Sequence, residues 1–431
     1  MSSTSSAFKW HDHNASIRRE SVAAFNAFLA RAKTQLFDEL VMPSSASYVK
    51  VHVMIGNEAA DADSIISSLV YAFHCDHVAH NQTRYDQTTV IHIPVLPIPR
   101  DELALRCDVS SLLTSLEIDT ASLVFVDEFP WHHSALTKSR LQITLLDHNA
   151  LNTKRIAPDV AADDLAEVVE ILDHHMDVGC HPHAMSREIA FANGQAQVAS
   201  CCTIVAEKLL TAAQRDTLVH ALGSTMLLAV IALDSVNFDP SAKKVMPRDI
   251  AAADQLEKAA FATRGALFDW LQTEKFNVAH WGKFTIANCL QCDYKEFQTP
   301  AQDALYGVSA VLIPLRQFIT KAATAEAFVA SLQAYVEANR LAFLVVMSMA
   351  HGIDGSRRRE LLFYEPGKDQ PFTKQCVAHF LADGSLQLEP LAELPLVAGD
   401  ARVAAFHQRN TGASRKQVVP LIQQALTPVK L

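Results

Sequence analysis

Two carboxylate side chains lie close together where an apolar run of the sequence ends. The run VKVHVMI predicts a strand at 49–55, and the segment GNEAADADS that follows contains Asp61 and Asp63. Two carboxylates this close raise each other's pKa unless a cation lies between them. Taken alone, the pair fits an acidic cap at the N-terminus of the next helix somewhat better than a metal site, and both readings stay open at this point.

Aspartate and histidine recur together after further apolar runs. LLDHN places Asp147 and His148 after one predicted strand. ILDHH places Asp173, His174 and His175 after another. A lone histidine in such a place is usually a hydrogen-bonded structural residue, but two clusters at strand ends of one sheet favour a site. Asp234, in LDSVNF at the end of an apolar helix, is either a cap or a further ligand.

Four carboxylates and one imidazole form a candidate set of metal ligands if these segments converge. Without cations, the burial of so much negative charge would be prohibitive. Two divalent ions would compensate the charge, and the oxygen-rich ligands favour Mn²⁺ or Mg²⁺, with Co²⁺ as a third candidate, over a structural zinc. The set consists of Asp61, Asp63, Asp147, His174 and Asp234.

The elements that must position these side chains alternate along the chain. Short β-rich runs at 49–55, 88–96, 121–127, 142–147 and 168–173 are separated by helical stretches. This alternation predicts an α/β fold with a parallel sheet, and ligands of such sheets bind beyond the carboxyl ends of the strands. Two long buried helices are predicted at 196–210 and 216–233. Within the first, residues 200–203 either point backbone N–H groups at the site or only cap and pack.

The length of 431 residues predicts two domains, because single cores stop growing at roughly 250–300 residues. We expect a catalytic, metal-binding domain at 1–260 and a smaller α/β domain at 261–431. The second domain mixes predicted strands at 309–315, 341–349 and 360–365 with a helix at 325–340. We expect the active site in the cleft between the two domains.

Composition and charge narrow the choice of partners. The chain has 37 basic and 47 acidic residues, a net charge of -10, and so lacks the basic balance of extended nucleic-acid binding. Its longest apolar runs fall short of a membrane span. Its eight cysteines are too sparse for a disulfide scaffold. We therefore expect a cytoplasmic monomer with no nucleic-acid partner and no membrane association.

The motifs GNEAADADS, LLDHN, LDHH and LDSVNF, in this order, resemble the four motifs of the DHH phosphoesterase superfamily. The GNE opening resembles the eukaryotic exopolyphosphatase and prune branch, because pyrophosphatases carry a histidine metal ligand in place of Asn57. The segments DYKEF and SRKQVVP resemble phosphate-binding segments of the carboxy-terminal domain that these enzymes share with family II pyrophosphatases.

This resemblance implies a role for each matching residue. Asp147 would be the carboxylate that bridges two metal ions, and the other members of the set would be the remaining ligands. His175 would contact the substrate phosphate, and His148 or His175 would assist the leaving group. The implied phosphate-binding residues of the second domain are Lys295, Arg415 and Lys416.

The function implied is that of an exopolyphosphatase, which removes terminal phosphate from inorganic polyphosphate by attack of a hydroxide that two metal ions activate. In SRRRE, the triplet Arg357, Arg358 and Arg359 forms a candidate polyphosphate track, with a solvated basic turn or helix end as the alternative. Rival functions are an inorganic pyrophosphatase acting on pyrophosphate, a prune-like short-chain polyphosphatase or cyclic-nucleotide phosphodiesterase, and a catalytically inactive relative that binds partner proteins.

Overall fold

A computed structural model of the chain describes residues 8–41, 49–81, 89–156, 162–211, 217–242, 244–301, 303–351, 356–367, 369–391, 394 and 400–427. The chain divides into two compact units, Met1–Glu274 and Lys275–Leu431. This division falls later than the predicted boundary after residue 260. Its physical reason is that Leu267 and Leu271 pack into the core of the first unit.

The first unit contains eight of the described strands and eight of the described helices. The strands are β1 (Val49–Ile55), β2 (Thr89–Leu96), β3 (Val124–Phe125), β4 (Leu141–Leu146), β5 (Glu167–Asp173), β6 (Ser186–Ile189), β7 (Phe191–Ala192) and β8 (Gln195–Ala196). The helices are α1 (Ala15–Val41), α2 (Ala62–Asn81), α3 (Cys107–Ser115), α4 (Ala162–Leu165), α5 (Cys201–Thr211), α6 (Thr217–Asp234), α7 (Pro247–Leu256) and α8 (Arg264–Lys275).

The main sheet of this unit has six parallel strands in the order β3-β2-β1-β4-β5-β6. The predicted parallel α/β sheet is thus confirmed. From β1 the chain first builds outward through β2 and β3, and it then returns to the other side of β1 with β4. At such a reversal the connections diverge and leave a crevice at the carboxyl ends of the two central strands. The segments that follow β1 and β4 carry the first two predicted motifs.

The helices α5 and α6 pack against each other and against α2. By length and composition α6 could cross a membrane, and it is the one such helix in the described part of the chain. However, 72% of it is buried inside the protein, which fits a core helix. The predicted start of α5 at residue 196 is wrong, because Gln195–Ala196 pairs with Phe191–Ala192 in a small hairpin.

The second unit is built on a mixed sheet in the order β13-β14-β12-β11-β10-β9. Its strands are β9 (Tyr294–Gln298), β10 (Leu305–Val311), β11 (Phe343–His351), β12 (Arg357–Tyr364), β13 (Leu388–Pro390) and β14 (Val403–Gln408). Its helices are α9 (Val278–Lys283), α10 (Ile286–Gln291), α11 (Leu315–Ile319), α12 (Ala325–Ala338), α13 (Pro371–Asp383) and α14 (Arg415–Leu426). Strands β10 and β11 are parallel, and α13 and α14 cover one face. The predicted smaller α/β domain is confirmed.

Candidate metal centre

Asp147 lies at the centre of the candidate site, directly after β4, and only 3% of it is exposed. Its backbone is in the left-handed region, with φ of 64°. One carboxylate oxygen, Oδ2, accepts hydrogen bonds from Asn57 Nδ2 at 2.6 Å and from Ser64 Oγ at 2.7 Å. These two donors come from the turn between β1 and α2 and fix the orientation of the carboxylate. The other oxygen, Oδ1, is thereby turned toward the histidines that follow β5.

His174 presents a lone pair to this carboxylate. Its Nδ1 lies 3.1 Å from the carbonyl oxygen of Val198, which can only accept, so the proton of the neutral ring is on Nδ1. Nε2 then faces Asp147 Oδ1 at 3.3 Å and Asp63 Oδ2 at 3.7 Å. A histidine whose second nitrogen is fixed by a backbone carbonyl is typical of metal sites.

Asp63 is held by the N-terminus of α5. Ser200 Oγ donates to its Oδ1 at 2.5 Å, the backbone N–H of Cys201 to its Oδ2 at 2.7 Å, and that of Cys202 to its Oδ1 at 2.8 Å. Of the two alternatives for residues 200–203, the structure thus shows N–H groups that point to a predicted ligand. This arrangement compensates part of the carboxylate charge.

The electrostatics of the cluster favour a bound cation. Burial raises the pKa of Asp63 well above its usual value, and the charges of Asp147, Asp234 and Asp61 raise it further, while His174 works in the opposite direction. The predicted ligands therefore lie close enough to repel one another. In addition, ligand atoms of Asp147, His174 and His175 all lie within 4.8 Å of one another. These residues fit a divalent ion, which would replace mutual repulsion by coordination.

Asp61 and Asp234 lie at the ends of two helices. Asp61 Oδ1 accepts a hydrogen bond from the backbone N–H of Ser64 at 3.1 Å and so caps α2. The cap that the sequence left as an alternative is therefore present. Asp234 is the last residue of α6, and its effect on the pKa of Asp63 places its charge beside the cluster.

Asp173 belongs to the ILDHH motif, but the sequence analysis assigned it no role as a ligand or catalytic residue. It is fully buried, its Oδ1 lies 2.8 Å from His175 Nδ1, and its Oδ2 accepts from Asn149 Nδ2 at 2.5 Å. Burial acts to raise the pKa of Asp173, but the hydrogen bond and charge of His175 outweigh it and hold the pKa below its usual value. Asp173 thus orients His175. Its position directly before the two histidines was the available signal.

His148 differs from the other predicted catalytic residues in its surroundings. Its Nδ1 lies 2.9 Å from the carbonyl oxygen of Leu146, and the ring lines a small pocket with Glu58 and Pro97. The structure therefore brings His175 to the carboxylates of the cluster, and it places His148 at a neighbouring pocket.

The second unit gathers two of the predicted phosphate-binding residues around one carboxylate. Arg415 Nη2 donates to Asp293 Oδ1 at 2.6 Å. Burial acts to raise the pKa of Asp293, but the charges of Arg415 and Lys295 outweigh it, so the pKa lies below its usual value. Lys416 is exposed at the start of α14. The cations Lys295 and Arg415 thus belong to one neighbourhood at the ends of β9 and α14.

The arginine run 357–359 lies in strand β12, and neither a basic turn nor a helix end is present there. Successive side chains of a strand point to opposite faces of the sheet. Arg357 and Arg358 therefore lie on opposite faces, and the expectation that they form one track is wrong.

Comparison with known proteins places two family domains on this chain. The DHH family, N-terminal domain, matches residues 50–232, and the DHHA2 domain matches residues 270–425. The first match contains nearly all of β1, all of β2 through β5, and the members of the cluster described above except Asp234, which lies two residues beyond its end. The second contains the sheet of the second unit.

Relatives of similar length are known by name. Exopolyphosphatase PRUNE1 of Rattus norvegicus is 31% identical over 384 residues, which cover 88% of this chain and 76% of that protein. A Schizosaccharomyces pombe protein, provisionally named an exopolyphosphatase, is 26% identical over 419 residues, or 93% of this chain and 98% of that protein. A Methanococcus jannaschii structure, provisionally assigned as a family II inorganic pyrophosphatase, has the same fold with a TM-score of 0.55 and 15% identity, covering 87% of this chain and 99% of that one.

Proposed function

This chain belongs to the DHH phosphoesterase family, with a DHHA2 domain after the DHH domain, and we propose that it is a metal-dependent exopolyphosphatase. The family resemblance that the four motifs predicted is confirmed. The predicted enzyme class, a phosphoanhydride hydrolase, is confirmed as well, because the curated relatives are named exopolyphosphatases. The substrate we propose is inorganic polyphosphate, cleaved at its terminal phosphate.

The observation that carries this proposal is the convergence of lone pairs at the carboxyl ends of β1, β4 and β5. Asp147 Oδ1 and Asp63 Oδ2 both face His174 Nε2, at 3.3 and 3.7 Å, in a buried setting. We propose that these three residues, with Asp61 and Asp234, hold Mn²⁺ or Mg²⁺, with Co²⁺ as a third candidate. Such ions, when bound, lower the pKa of a water and neutralise phosphate charge.

The protein's own side chains then orient and bind the substrate. Asn57 and Ser64 hold Asp147 by its Oδ2, so that carboxylate needs no rearrangement when substrate arrives. His175 is held by Asp173 through Nδ1, and 33% of its side chain is exposed. We propose that His175 acts as an imidazolium, in which Nδ1–H donates to Asp173 and Nε2–H donates to a phosphate oxygen, and that the Nε2 proton passes to the leaving phosphate.

Lys295, Arg415 and Lys416 would bind the phosphates of the substrate. An arginine can hold two oxygens of one phosphate through two nitrogens, whereas lysine acts as a point charge. Arg415 is paired with Asp293 through Nη1 and Nη2, so it reaches phosphate either with its remaining donors or by exchange of this partner.

Inorganic pyrophosphatase is the rival activity that a specific observation favours, namely the fold shared with the Methanococcus jannaschii protein. Asn57 argues for polyphosphate instead. In the pyrophosphatase pattern a histidine at this place ligates metal, whereas here the Asn57 amide donates to Asp147. A catalytically inactive relative is disfavoured because all five predicted ligands are present.

The substrate is tested by measuring phosphate release from long-chain polyphosphate, tripolyphosphate, pyrophosphate and cyclic AMP, each with Mg²⁺, Mn²⁺ or Co²⁺. We expect polyphosphates to be cleaved much faster than pyrophosphate. Faster cleavage of pyrophosphate or of cyclic AMP would show that the proposed substrate is wrong, but it would not contradict the proposed metal site. A cytoplasmic location, a monomeric state and the lack of nucleic-acid and membrane partners stay predictions.

A further inference from the structure

Strand β12 turns two arginines toward the same face of the second unit. Arg357 and Arg359 are opposite His351 and Met349 of β11, and they share their face with Leu361 and Phe363. That face of the sheet carries the apolar core that α13 and α14 cover. The two arginines continue the same face beyond the part that these helices cover.

Arg358 points to the other face. It shares that face with Glu360, whose Oε2 accepts a hydrogen bond from the backbone N–H of Leu315 at 2.7 Å. One face of β12 therefore carries Arg357 and Arg359, and the other face carries Arg358 in different surroundings.

Arg359 is fixed against the loop that leads into α14. Its Nε donates to the carbonyl oxygen of Thr411 at 2.9 Å. Gln408 holds this loop in place, because its Nε2 donates to the carbonyl oxygens of Asn410 and Ala413, both at 2.7 Å. Gln408 is only 2% exposed. The guanidinium of Arg359 is thus held in place by its Nε, while its Nη atoms form no hydrogen bond with any residue that the structure describes.

The positive charge at this place is not balanced within the described part of the chain. Neither Arg357 nor Arg359 forms an ion pair with a described carboxylate. Burial, and then the like charge of Arg357, lowers the pKa of Arg359 to about 10. Burial and the same arginine also lower the pKa of His351. Like charges that adjoin without a counter-ion are unfavourable, and an anion between them removes this cost.

The position of the pair fits a chain substrate. Parallel strands β10 and β11 end beside it, and ligands bind beyond the carboxyl ends of such strands. Lys295 and Asp293, which contacts Arg415, belong to the β9 side of the same sheet. Because β9 and β12 are separated by β10 and β11, the two groups of cations are about 14 Å apart between strand axes. A substrate of two phosphates is too short to reach both groups, whereas a polyphosphate chain can.

We propose that Arg357 and Arg359 form a second phosphate-binding site, which holds the distal part of a polyphosphate chain and thereby sets a preference for long substrates. The site deepens the proposed function and rests on it. Its ligand is a run of phosphates beyond the terminal ones, and recognition is by paired guanidinium groups. Arg358, on the other face, has no part in it.

The test compares Arg357→Gln and Arg359→Gln, singly and together, with Arg358→Gln as the matched control. We expect the double variant to raise KM for long-chain polyphosphate about tenfold, with KM for tripolyphosphate unchanged. The control should match wild type on both substrates. Equal losses on short and long substrates, or an equal loss in the control, would overturn the proposal.

A binding measurement separates this inference from the proposed function. Long-chain polyphosphate is titrated into each variant in an Asp147→Asn background, with circular dichroism to verify folding. Weaker binding in the double variant, but not in the control, supports the second site. Unchanged binding in the double variant contradicts it. Wild-type protein that binds long chains through these arginines but hydrolyses none would contradict the proposed function alone.

Discussion

Asp147 combines a strained backbone with a carboxylate that two neighbouring donors orient. A positive φ of 64° is tolerated best by glycine, asparagine and aspartate. Asp147→Asn therefore keeps the backbone and an acceptor for Asn57 and Ser64, and it removes only the charge. We expect phosphate release to fall by about 10³-fold or more. We also expect the metal-free protein to be as stable as wild type or more stable, because repulsion of Asp63 is relieved. Phosphate release measures the loss of activity, and thermal unfolding of the metal-free protein measures the stability.

Asp147→Ala is a poorer variant, because it leaves two donors without their acceptor and replaces a residue type that tolerates positive φ by one that tolerates it poorly. Loss of activity together with loss of stability would be ambiguous there. Hydrolysis at the wild-type rate by folded Asp147→Asn would show that this carboxylate has no role in the reaction.

Ser200 positions Asp63 through the hydrogen bond of 2.5 Å from its Oγ. For Ser200→Ala we expect Mn²⁺ affinity to fall about tenfold, because a ligand loses the group that orients it. The cap of α5 is lost as well, at a cost of about 1 kcal/mol in the free energy of unfolding. Calorimetric titration with Mn²⁺ measures the first effect. Ser68→Ala, which removes a buried hydroxyl bonded to the Ser64 carbonyl, is the control. Equal Mn²⁺ affinity in wild type, Ser200→Ala and the control would refute the positioning role.

The sequence pointed to the carboxylates and the histidines of the cluster because they lie at or shortly after the ends of apolar runs, and their role as metal ligands stays a prediction. It did not reveal which oxygen of Asp147 is blocked by Asn57 and Ser64, since that depends on hydrogen bonds between β4 and a turn some ninety residues earlier. The orienting role of Asp173 was missed for a similar reason, because its contact with His175 involves side-chain geometry that spacing does not encode.

The turn between β1 and α2 allows no side chain at Gly56. A β-carbon there would lie 2.5 Å from Ser64 Cβ and 2.8 Å from the Ser64 carbonyl oxygen. Gly56→Ala must therefore displace the start of α2, which carries Asp61 and Asp63. We expect a loss of about 1–3 kcal/mol in the free energy of unfolding, together with reduced activity. Gly282→Ala, with no atom within 4 Å of the added carbon, should leave both unchanged. Denaturant unfolding of both variants measures these stabilities. Unaltered stability of Gly56→Ala would contradict the close packing at Gly56.

His52 makes the central strands sensitive to acid. Burial, with a smaller effect of Lys50, lowers its pKa from 6.5 to about 4, and its Nε2 bonds Thr144 Oγ1 at 2.8 Å. Between pH 6.5 and 4 the unfolded chain binds a proton that the folded protein does not. The free energy of unfolding therefore falls as pH is lowered through this range, by at most about 3 kcal/mol from this residue.

His52→Gln removes that contribution and keeps a donor for Thr144. We expect its stability to fall less steeply with acid than that of wild type, measured by urea unfolding between pH 6.5 and 4. Some slope should remain, because burial lowers the pKa of His74 to about 4 as well. Identical pH profiles for variant and wild type would contradict the assignment.

Strands with continuous apolar runs were predictable, and those without them were not. Strand β6 is partly exposed along its length and has no apolar alternation, so nothing in the sequence distinguished it from the loop around it. The start of α5 was placed too early because the apolar character of residues 196–198 belongs to the end of a hairpin and the turn after it.

At the scale of the whole molecule, chain length predicted two units, and the compact units of the structure divide at Lys275 rather than at the predicted residue 261. Within helix α8, Leu267 and Leu271 belong to the first core. The arginine run shows the same limit, because only the assignment to a strand reveals that Arg357 and Arg358 diverge. A chain with a net charge of -10 must bind a polyanion through such local groups of cations.

The most direct test of the central claim is phosphate release from long-chain polyphosphate by metal-free protein to which Mn²⁺ is added back. Asp147→Asn, treated in the same way, is the blank. We expect no release before the metal is added, a rate that rises and saturates with Mn²⁺, and a silent variant. Release in the absence of metal, or equal release by the folded variant, would contradict a metal-dependent reaction at this cluster.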